Sequence, residues 1–578
     1  MLYELRGADT KTRGTDSSDG PVFYNKVQVF NRDISVLVMG LFAQWRYVER
    51  RERRAAAQAR KAGGDHAAGK AAAAEEKARL YALSARELDA LLRESEATDG
   101  IRVLDALAAT GLRSVRYAKE VPGVKTVLAN DLEKDAAAAC ARNAAENGAS
   151  DKVEAHCGDA VAYMINHRTS GQFDVIDLDP YGSAAPFIDA AVQAVAEGGM
   201  ICVTSTDMTV LSGNYPEVCF AKYGAMPTKA KHLHEFALRV LLHALESSAT
   251  RYQRHVVPVL SLSVDFYIRI FVRVYKKPAE VKHSVARRAF VLQSAGCPSF
   301  YLQPLGRPTG REGGYVCAHL HKPPRGLAAE GGRASRRRAE RKKGGAAPPE
   351  EAPVEEEEDP AAAEAAAEAA EAAAEEQAAL EEATAPAFCG ETGAPFKIGG
   401  PIWAAPIHDR DWVAAALDRV SAGCDQHLST TERIHGVLTS ISEELLDVPL
   451  YYTLPDICST LHCSSPKMAE VRAALGHAGY RSSQHHRDPD AIKTDAPPRV
   501  LWDIMRCWIK KHPISEKRLA EGGAASKILA VEPQFAASFA TTAALRAKQS
   551  KARRWAPNPE SYWGPKAAAR GRKAAKTE

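Results

Sequence analysis

From Ile101 to Asp207 the chain alternates short apolar runs with amphipathic ones. "IRVLDALAA", "VKTVLAND", "VEAHCGDA", "FDVIDLD" and "MICVTSTD" are the apolar runs, and stretches beginning at Leu112, Lys134 and Ala184 have helical spacing. Continuous Val/Ile/Leu runs separated by helices predict strands buried on both faces, hence a doubly wound α/β domain with a parallel sheet. A helix is predicted from Thr228 to Ser247, and "VVPVLSLSVDFYIRIFVRVYK" after it predicts two further strands, an antiparallel pair at one edge.

Two segments look inserted. Ala55 to Glu76 is nearly all Ala, Lys, Arg, Glu and Gly, and Pro323 to Pro386 passes from Arg-rich to Pro/Glu-rich to an Ala/Glu repeat without an apolar stripe. The repeat predicts a solvated helix or a disordered stretch. Beyond it, "YYTLPDICSTLHCSSPKMAEVRAALGHAGYRSSQHHRDPDAIKTDAP" reads as helix, turn, helix and polar hairpin, a smaller α+β winged-helix-like domain. Pro455 suits a first helical turn, Ser464 or Ser465 suits the cap of the second helix, and Leu475 with Tyr480 gives that helix an apolar face. The His, Arg and Lys residues from Arg481 to Lys493 are expected to lie along phosphate as a wing does.

In doubly wound sheets the ligand lies beyond the carboxyl ends of the strands. Asp105, Asp131, Asp159, Asp179 and Asp207 all fall at or near those ends. Each alone suits a helix cap; their recurrence is better explained by a ligand. The turn "DALAATGLRS" has a single glycine, Gly111, where a pyrophosphate would require G-x-G-x-x-G. That disfavours a dinucleotide and suits S-adenosylmethionine, which has no phosphate. Asp131 is placed to accept from ribose hydroxyls and Asp159 from the adenine amino group.

The fourth strand carries two acids, Asp177 and Asp179, into "DPYG". Asp179-Pro180-Tyr181-Gly182 resembles the [D/N]-P-P-[Y/F] tetrapeptide of methyltransferases acting on exocyclic or amide nitrogens; a tight turn is the plainer reading of the same residues. An arylamine is a weak nucleophile because its lone pair is delocalised. A carboxylate holding the amino hydrogens aims that lone pair and stabilises the charge that develops. Tyr181 offers a face for stacking the base.

The chain has 578 residues, with 76 Lys+Arg against 72 Asp+Glu, so average charge does not announce a polyanion partner. The basic runs do more: Arg46 to Arg60, Arg333 to Lys343 and Arg546 to Lys576, with acids concentrated between Glu350 and Glu382. Eleven scattered cysteines favour reduced thiols over a disulfide framework. There is no secretory signal and no apolar run long enough to span a bilayer.

Several blocks in order, "VFYNKVQVFNRDISV", "LDALAATGLRSVRYAKE", "NDLEKDA", "DLDPYGSAAPFIDAA", "TSTDMTVLSG" and "GGPIWAAPIHD", resemble the tRNA (guanine26-N2)-dimethyltransferases of eukaryotes and archaea. The resemblance covers most of residues 21–275 and, in patches, 287–512. It implies an S-adenosylmethionine-dependent enzyme that transfers one and then two methyl groups to the exocyclic N2 of a tRNA guanine lying between the D and anticodon arms. It places Arg32 and Arg113 against the cofactor, with Asp131, Asp159 and Ala160 at cofactor-contact positions. Asp105 and Gly111 join this cofactor-binding set. Asp179 is placed as the catalytic acid, with Pro180 beside it and with Phe23 and Tyr181 sandwiching the target guanine. Read without the resemblance, Phe23 is a core aromatic and Arg32 a surface ion pair. The implied organisation is an N-terminal tail over 1–20 and a catalytic domain over 21–275 with a low-complexity insertion near 51–78. A tRNA-binding domain follows over 276–515 with a disordered insertion near 323–386, then a basic tail over 516–578.

Two departures stand out. Lys26 replaces the usual proline of "FYNP". Of the two Cys-x-x-Cys pairs common in the family, only Cys297 and Cys389 remain, with Ser294 and Pro386 in the partner positions; zinc is doubtful, although Cys317, His319 and His321 are conceivable substitutes. The expected partner is tRNA, with no membrane and no obligate protein partner. The expected compartment is the nucleus, with cytoplasm and mitochondrion left open. The alternatives are an amino-methyltransferase for another nucleic acid or protein amine, or a catalytically degenerate tRNA-binding protein.

Overall fold

A computed structural model describes residues 26–308, 315–317, 386–515, 519, 522–541 and 553–555. Five parallel strands, β1 (Ile101–Asp105), β2 (Val124–Asp131), β3 (Val153–Cys157), β4 (Phe173–Leu178) and β5 (Val195–Ser205), join an antiparallel pair, β6 (Arg254–Val264) and β7 (Tyr267–Lys276). Their order is β3-β2-β1-β4-β5-β7-β6, so the winding reverses between β1 and β4. That is the switch point at which such sheets bind ligands.

Three helices precede the sheet: α1 (Val29–Lys61), α2 (His66–Tyr81) and α3 (Ala85–Asp99). Within it run α4 (Leu112–Glu120), α5 (Lys134–Glu146), α6 (Ala160–Asn166), α7 (Ala185–Ala194), the short α8 (Met208–Leu211) and α9 (Pro216–Tyr223), and α10 (Leu233–Thr250). The sheet is buried on both faces, as its continuous apolar runs require. Val103, Val127, Val175 and Cys202 face one core with α1, α4 and α5. Leu104, Leu128, Ile176 and Val203 face the other with α7 and α10. The helix predicted from Thr228 begins at Leu233, because Lys229 takes a left-handed turn at φ 52°.

The segment read as a low-complexity insertion near 51–78 forms a helical hairpin. α1 runs through the basic stretch to Lys61 and α2 returns beside it, opened by Asp65, whose carboxylate accepts from the Ala68 N–H at 2.8 Å. Gly69 permits the close crossing: a Cβ there would lie 3.2 Å from the Ala56 carbonyl oxygen. The segment expected as a disordered insertion lies outside the described residues except for Pro386. Part of the expected tail packs down: Ile528 and Ala537 are buried in the C-terminal core.

The C-terminal part has the expected helices, Leu454–Leu461 and Met468–His477, then the hairpin Ser482–His485 and Asp488–Thr494. The second helix is not capped by Ser464 or Ser465; the Glu470 carboxylate accepts the Lys467 N–H at 2.8 Å at its start. Helices Arg410–Ser421 and Thr431–Ser442 send Trp412, Val413, Ile434 and Leu438 into the core shared with α1.

Part of the segment expected to lie along phosphate is turned inward, while Arg481 stays exposed in ion pairs with Asp447 and Asp495. Lys493 is buried, and its ammonium donates to both oxygens of Glu235 on α10 at 2.9 Å. Arg239 also donates to Glu235, as does the Leu450 N–H at 2.8 Å. His486 is buried between Glu444, 2.8 Å from its Nδ1, and the Ser263 N–H, 3.1 Å from its Nε2. His408 accepts from the Ser261 N–H at 3.3 Å. These polar groups bind the hairpin to the sheet.

Burial pushes the Glu235 carboxyl up, but Lys493 and Arg239 prevail and hold it at about 2, below its ordinary 4.5. Its contribution to stability is therefore complete above pH 4.5 and is lost as pH falls toward 2. Urea melts of wild type and Glu235→Gln between pH 6 and pH 3 should show the steeper loss in wild type. Lys493→Met should cost about 3–5 kcal/mol at neutral pH, because it strands a buried charge.

Candidate active site

Parallel neighbours in register present their side chains together. Asp105 on β1 is paired with Asp177 on β4, and Asp179 follows two residues later. The two β4-derived acids therefore reach the same side of the sheet at different depths. Asp177 is fully buried and accepts from Arg269 at 2.7 Å and from the Tyr117 hydroxyl at 2.5 Å. Asp179 is half-buried and takes the other end of Arg113 in a charge-assisted hydrogen bond.

Ser35 on α1 joins the two guanidiniums, accepting from Arg113 at 3.1 Å and Arg269 at 3.0 Å while donating to the Asn31 carbonyl at 2.6 Å. Burial pushes Asp177 up, yet Arg269 and Arg113 hold its carboxyl below the usual range. Asp105, beside it, is pushed up to about 7 by burial and by the charge on Asp177. Two guanidiniums thus balance the Asp177 and Asp179 carboxylates, while burial beside Asp177 shifts Asp105 toward its neutral form.

The turn after β1 is shaped by Gly111, in the left-handed region at φ 73°, where a Cβ would lie 3.0 Å from Cys140 on α5. Asp131 ties this turn to β2: its carboxylate accepts the Ala109 N–H at 2.8 Å and the Glu133 N–H at 3.1 Å. Each carboxylate oxygen keeps acceptor capacity beyond those bonds. Asn130 donates to the carbonyls of Ala106 and Gly158, both at 3.0 Å, so three strand-end loops hold one another.

After Asp179, Pro180 starts a turn whose Gly182 sits at φ 91°. Gly182 donates to the Thr206 hydroxyl at 2.9 Å and its carbonyl accepts the Thr206 N–H at 2.9 Å, which pins the turn to the end of β5. The Tyr181 ring is left 77% exposed. Burial raises its hydroxyl pKa, and so do the charges of both Asp179 and Asp131. β1 alone separates β2 from β4. At ordinary strand spacing the two acids are therefore about 10 Å apart, on either side of the switch point.

The expected residues divide into two groups. Asp131, Asp179, Pro180, Tyr181, Gly111 and Arg113 converge on this end of the sheet. Asp159 lies nearby, exposed, and caps α6 by accepting from Val161 at 2.7 Å and Ala162 at 3.2 Å, with Ala160 buried beside it. Asp105 is 1% exposed and accepts from Ser114 at 2.6 Å, so it braces the turn from behind. Arg32 is buried in the first turns of α1. Asp207 binds Ser205 at 2.7 Å and Tyr223 at 2.9 Å, linking the Pro180 turn to α9. Phe23 lies outside the described residues.

Ser35, Tyr117, Asn130 and Arg269 were not foreseen as part of this assembly. Arg269 left one trace: like Arg273, it is an arginine set between apolar residues of a long strand. Leu132, 66% exposed beside Asp131, marks apolar surface at the same strand end.

The surviving cysteine pair meets: Cys297 and Cys389 have their sulfurs 3.5 Å apart, with the Ser299 hydroxyl 3.3 Å from Cys297. Their hydrogen bond holds the Cys389 thiol down to about 4 and pushes Cys297 up. Among the described residues the pair is surrounded by hydroxyls rather than by further thiolates or imidazoles, which does not make a four-ligand zinc site. His319 and His321 lie outside the described residues.

A doubly wound sheet with this strand order, acids at its carboxyl ends and a winged-helix-like second part define a Rossmann-like methyltransferase fold. The fold is shared by Trm1 from Pyrococcus horikoshii, solved with S-adenosyl-L-methionine, at a TM-score of 0.55 and 22% identity over 84% of this chain and 94% of that one. The chain is 41% identical over 579 residues to the tRNA (guanine(26)-N(2))-dimethyltransferase of Homo sapiens, covering 96% of this chain and 77% of the relative. It is 44% identical over 481 residues to the enzyme of that name from Mus musculus, covering 82% of this chain and spanning 64% of the mouse relative's length. The N2,N2-dimethylguanosine tRNA methyltransferase family matches residues 7–506, and this chain belongs to it.

Because Asp177 and Arg269 are both fully buried, removing either partner leaves a charge without its counterion. Arg269→Met should lower stability by about 3–5 kcal/mol in urea denaturation without any substrate present. Asp177→Asn should cost a comparable amount, because it keeps the side-chain shape but strands the Arg269 guanidinium, which cannot shed its charge.

Proposed function

We propose that this chain transfers methyl groups from S-adenosyl-L-methionine to the exocyclic N2 of the guanine at position 26 of tRNA, giving N2-methyl- and N2,N2-dimethylguanosine. The observation that carries the reading is geometric: the exposed Tyr181 follows Asp179 in a turn pinned to β5, and Asp131 ends β2 on the other side of β1. One acid is thereby available to the base and the other to the cofactor's ribose, on the same side of one turn. Membership of the family supplies the substrate class.

The strand-end residues fit the cofactor. The turn at Ala108, Ala109 and Gly111 is glycine-poor, as suits a ligand without a pyrophosphate, and Asp131 keeps acceptor capacity for ribose hydroxyls. Asp159 and Ala160 border the adenine end, and Arg113 lies toward the methionine end. When bound, S-adenosyl-L-methionine supplies an electrophilic methyl on a sulfonium.

The chain's own residues do the remainder. Tyr181 stacks the guanine. The Asp179 carboxylate accepts the amino hydrogens of N2, which draws the nitrogen lone pair out of conjugation with the ring and stabilises the positive charge that forms as the N–C bond is made. Asp179 or water then takes the proton released. A second round uses the hydrogen that remains on N2. Arg113, bonded to Asp179, Ser35 and, at 3.7 Å, facing Asp177, fixes the direction of the catalytic carboxylate.

Guanine N2 lies in the minor groove of a stacked helix, so the base must leave the stack to reach this turn. The C-terminal domain holds the tRNA while it does so. Among the described residues no helix is long and apolar enough to cross a membrane. We assign the chain to the nucleus on its basic runs at 333–343 and 546–576, which lie almost wholly outside the described residues.

Asp179→Ala should abolish methyl transfer to unmodified tRNA, read as dimethylguanosine by nucleoside mass spectrometry. Calorimetric binding of S-adenosylhomocysteine should persist in that variant and weaken at least tenfold in Asp131→Ala. Retained turnover in Asp179→Ala would remove the mechanism.

A further inference from the structure

Large apolar side chains on a folded surface are ordinary when scattered and informative when gathered. Ten are exposed among the described residues; five of them, Leu132, Tyr181, Tyr215, Phe220 and Met226, follow the carboxyl ends of β2, β4 and β5, and Ile398 lies two residues from the backbone partner of Met226. Leu132 and Tyr181 follow β2 and β4, and Tyr215, Phe220 and Met226 all lie in the connection from β5 to α10. Ile398 is joined to them because Met226 and Gly400 exchange backbone hydrogen bonds at 2.9 and 2.7 Å.

The segment bearing Tyr215 and Phe220 is fixed to the catalytic turn. Tyr223, one helical turn beyond Phe220 on α9, is buried. Its hydroxyl lies 2.7 Å from the Ser183 hydroxyl and 3.1 Å from that of Ser205, and it donates to Asp207 at 2.9 Å. Ser183 is two residues from Tyr181. The exposed rings of α9 therefore stand at a set position relative to Tyr181: Phe220 is 56% exposed and Tyr215, at the helix start, 53%. No packing requirement explains them, because Cys219 and Tyr223 provide the face of α9 that is buried.

The charge around these rings suits a polyanion. Between Tyr215 and Lys231 the chain has Lys222, Lys229 and Lys231, all exposed, against the single acid Glu217; Lys222 is paired with Asp207 at 3.3 Å, which leaves Lys229 and Lys231 as the lysines of the connection to α10. Aromatic faces interleaved with lysines are the composition that holds unstacked nucleotides: rings take bases, ammonium groups take phosphates.

We infer that Tyr215 and Phe220 form a stacking ledge for tRNA nucleotides next to the extruded guanine, with Lys229 and Lys231 on the adjoining phosphates. The ledge solves a problem that the chemistry creates, since a guanine drawn out of a helix leaves neighbours that have lost a stacking partner. It rests on the reading of tRNA as substrate.

The test uses the full-length protein with unmodified tRNA, and measures both the tRNA dissociation constant by gel shift and the kinetics of methylation at saturating S-adenosylmethionine. Tyr215→Ala with Phe220→Ala should weaken tRNA binding and raise the KM for tRNA, roughly fivefold to a hundredfold. Binding of S-adenosylhomocysteine and the melting temperature should not change, since neither side chain is in the core. Phe220→Trp should restore binding whereas Phe220→Leu, which keeps apolar bulk without a stacking face, should not. Lys229→Ala with Lys231→Ala should flatten the dependence of log Kd on log salt by a slope of roughly one to two. Unchanged tRNA affinity and KM in the double aromatic variant would overturn the ledge. If wild type binds and methylates tRNA while the variants match it, the ledge alone falls; if wild type fails to bind tRNA at all, the substrate assignment falls with it.

Discussion

The interaction on which the site depends is the buried pairing of two guanidiniums with the two acids that β4 delivers. Arg269 reaches across from β7 and Arg113 comes from α4, and the Ser35 hydroxyl on α1 accepts from both. Charges this deep are tolerated only when each is met by an opposite charge and by hydrogen bonds. Here the requirement is satisfied by groups from four separate elements, so sheet edge, first helix and catalytic turn are held together by one set of bonds. Asp177 is consumed in that framework. Asp179, two residues further and half-buried, is held by the same Arg113 but still faces the open end of the sheet. A single strand thus provides a structural acid and, in the proposed mechanism, a chemical one, distinguished by depth.

A second buried ionic group governs how the C-terminal part sits. Lys493 and Arg239 share Glu235, and His486 bridges Glu444 and the backbone of β6. Paired groups of this kind resist sliding, because any shift strands a charge in a low-dielectric interior. The hairpin that looks like a nucleic-acid wing is therefore committed to the catalytic domain. Lys493, His485 and His486 are thereby withdrawn from the surface, whereas Arg481 at the start of the hairpin stays exposed in ion pairs with Asp447 and Asp495.

Much of this was legible in one dimension. Parallel, doubly buried strands announce themselves by unbroken apolar runs, and the edge pair by its two long β-branched stretches, so the architecture and the strand-end acids followed from pattern. The DPYG turn was readable because proline and glycine are required where a strand stops and the backbone enters the left-handed region. What the pattern concealed was whatever depends on a partner far away in the chain. The Ala/Arg/Lys stretch after Arg50 has the composition of a loose insertion, yet it forms a hairpin because α1 and α2 cover one another and Gly69 lets them approach. The basic hairpin had the composition of a phosphate contact, yet Glu235, more than two hundred residues earlier, draws Lys493 inward.

By itself the order of residues determined which segments become strands and helices, which acids reach the carboxyl ends and which chemistry those acids suit, because each of these is set by neighbours within a few positions. Only the folded chain decided what each charge does. Asp105 and Asp177 became internal groups, Asp131 and Asp179 remained available, and Arg113 turned to a carboxylate, because burial and counter-charge are properties of position in space, fixed by contacts that no local window contains.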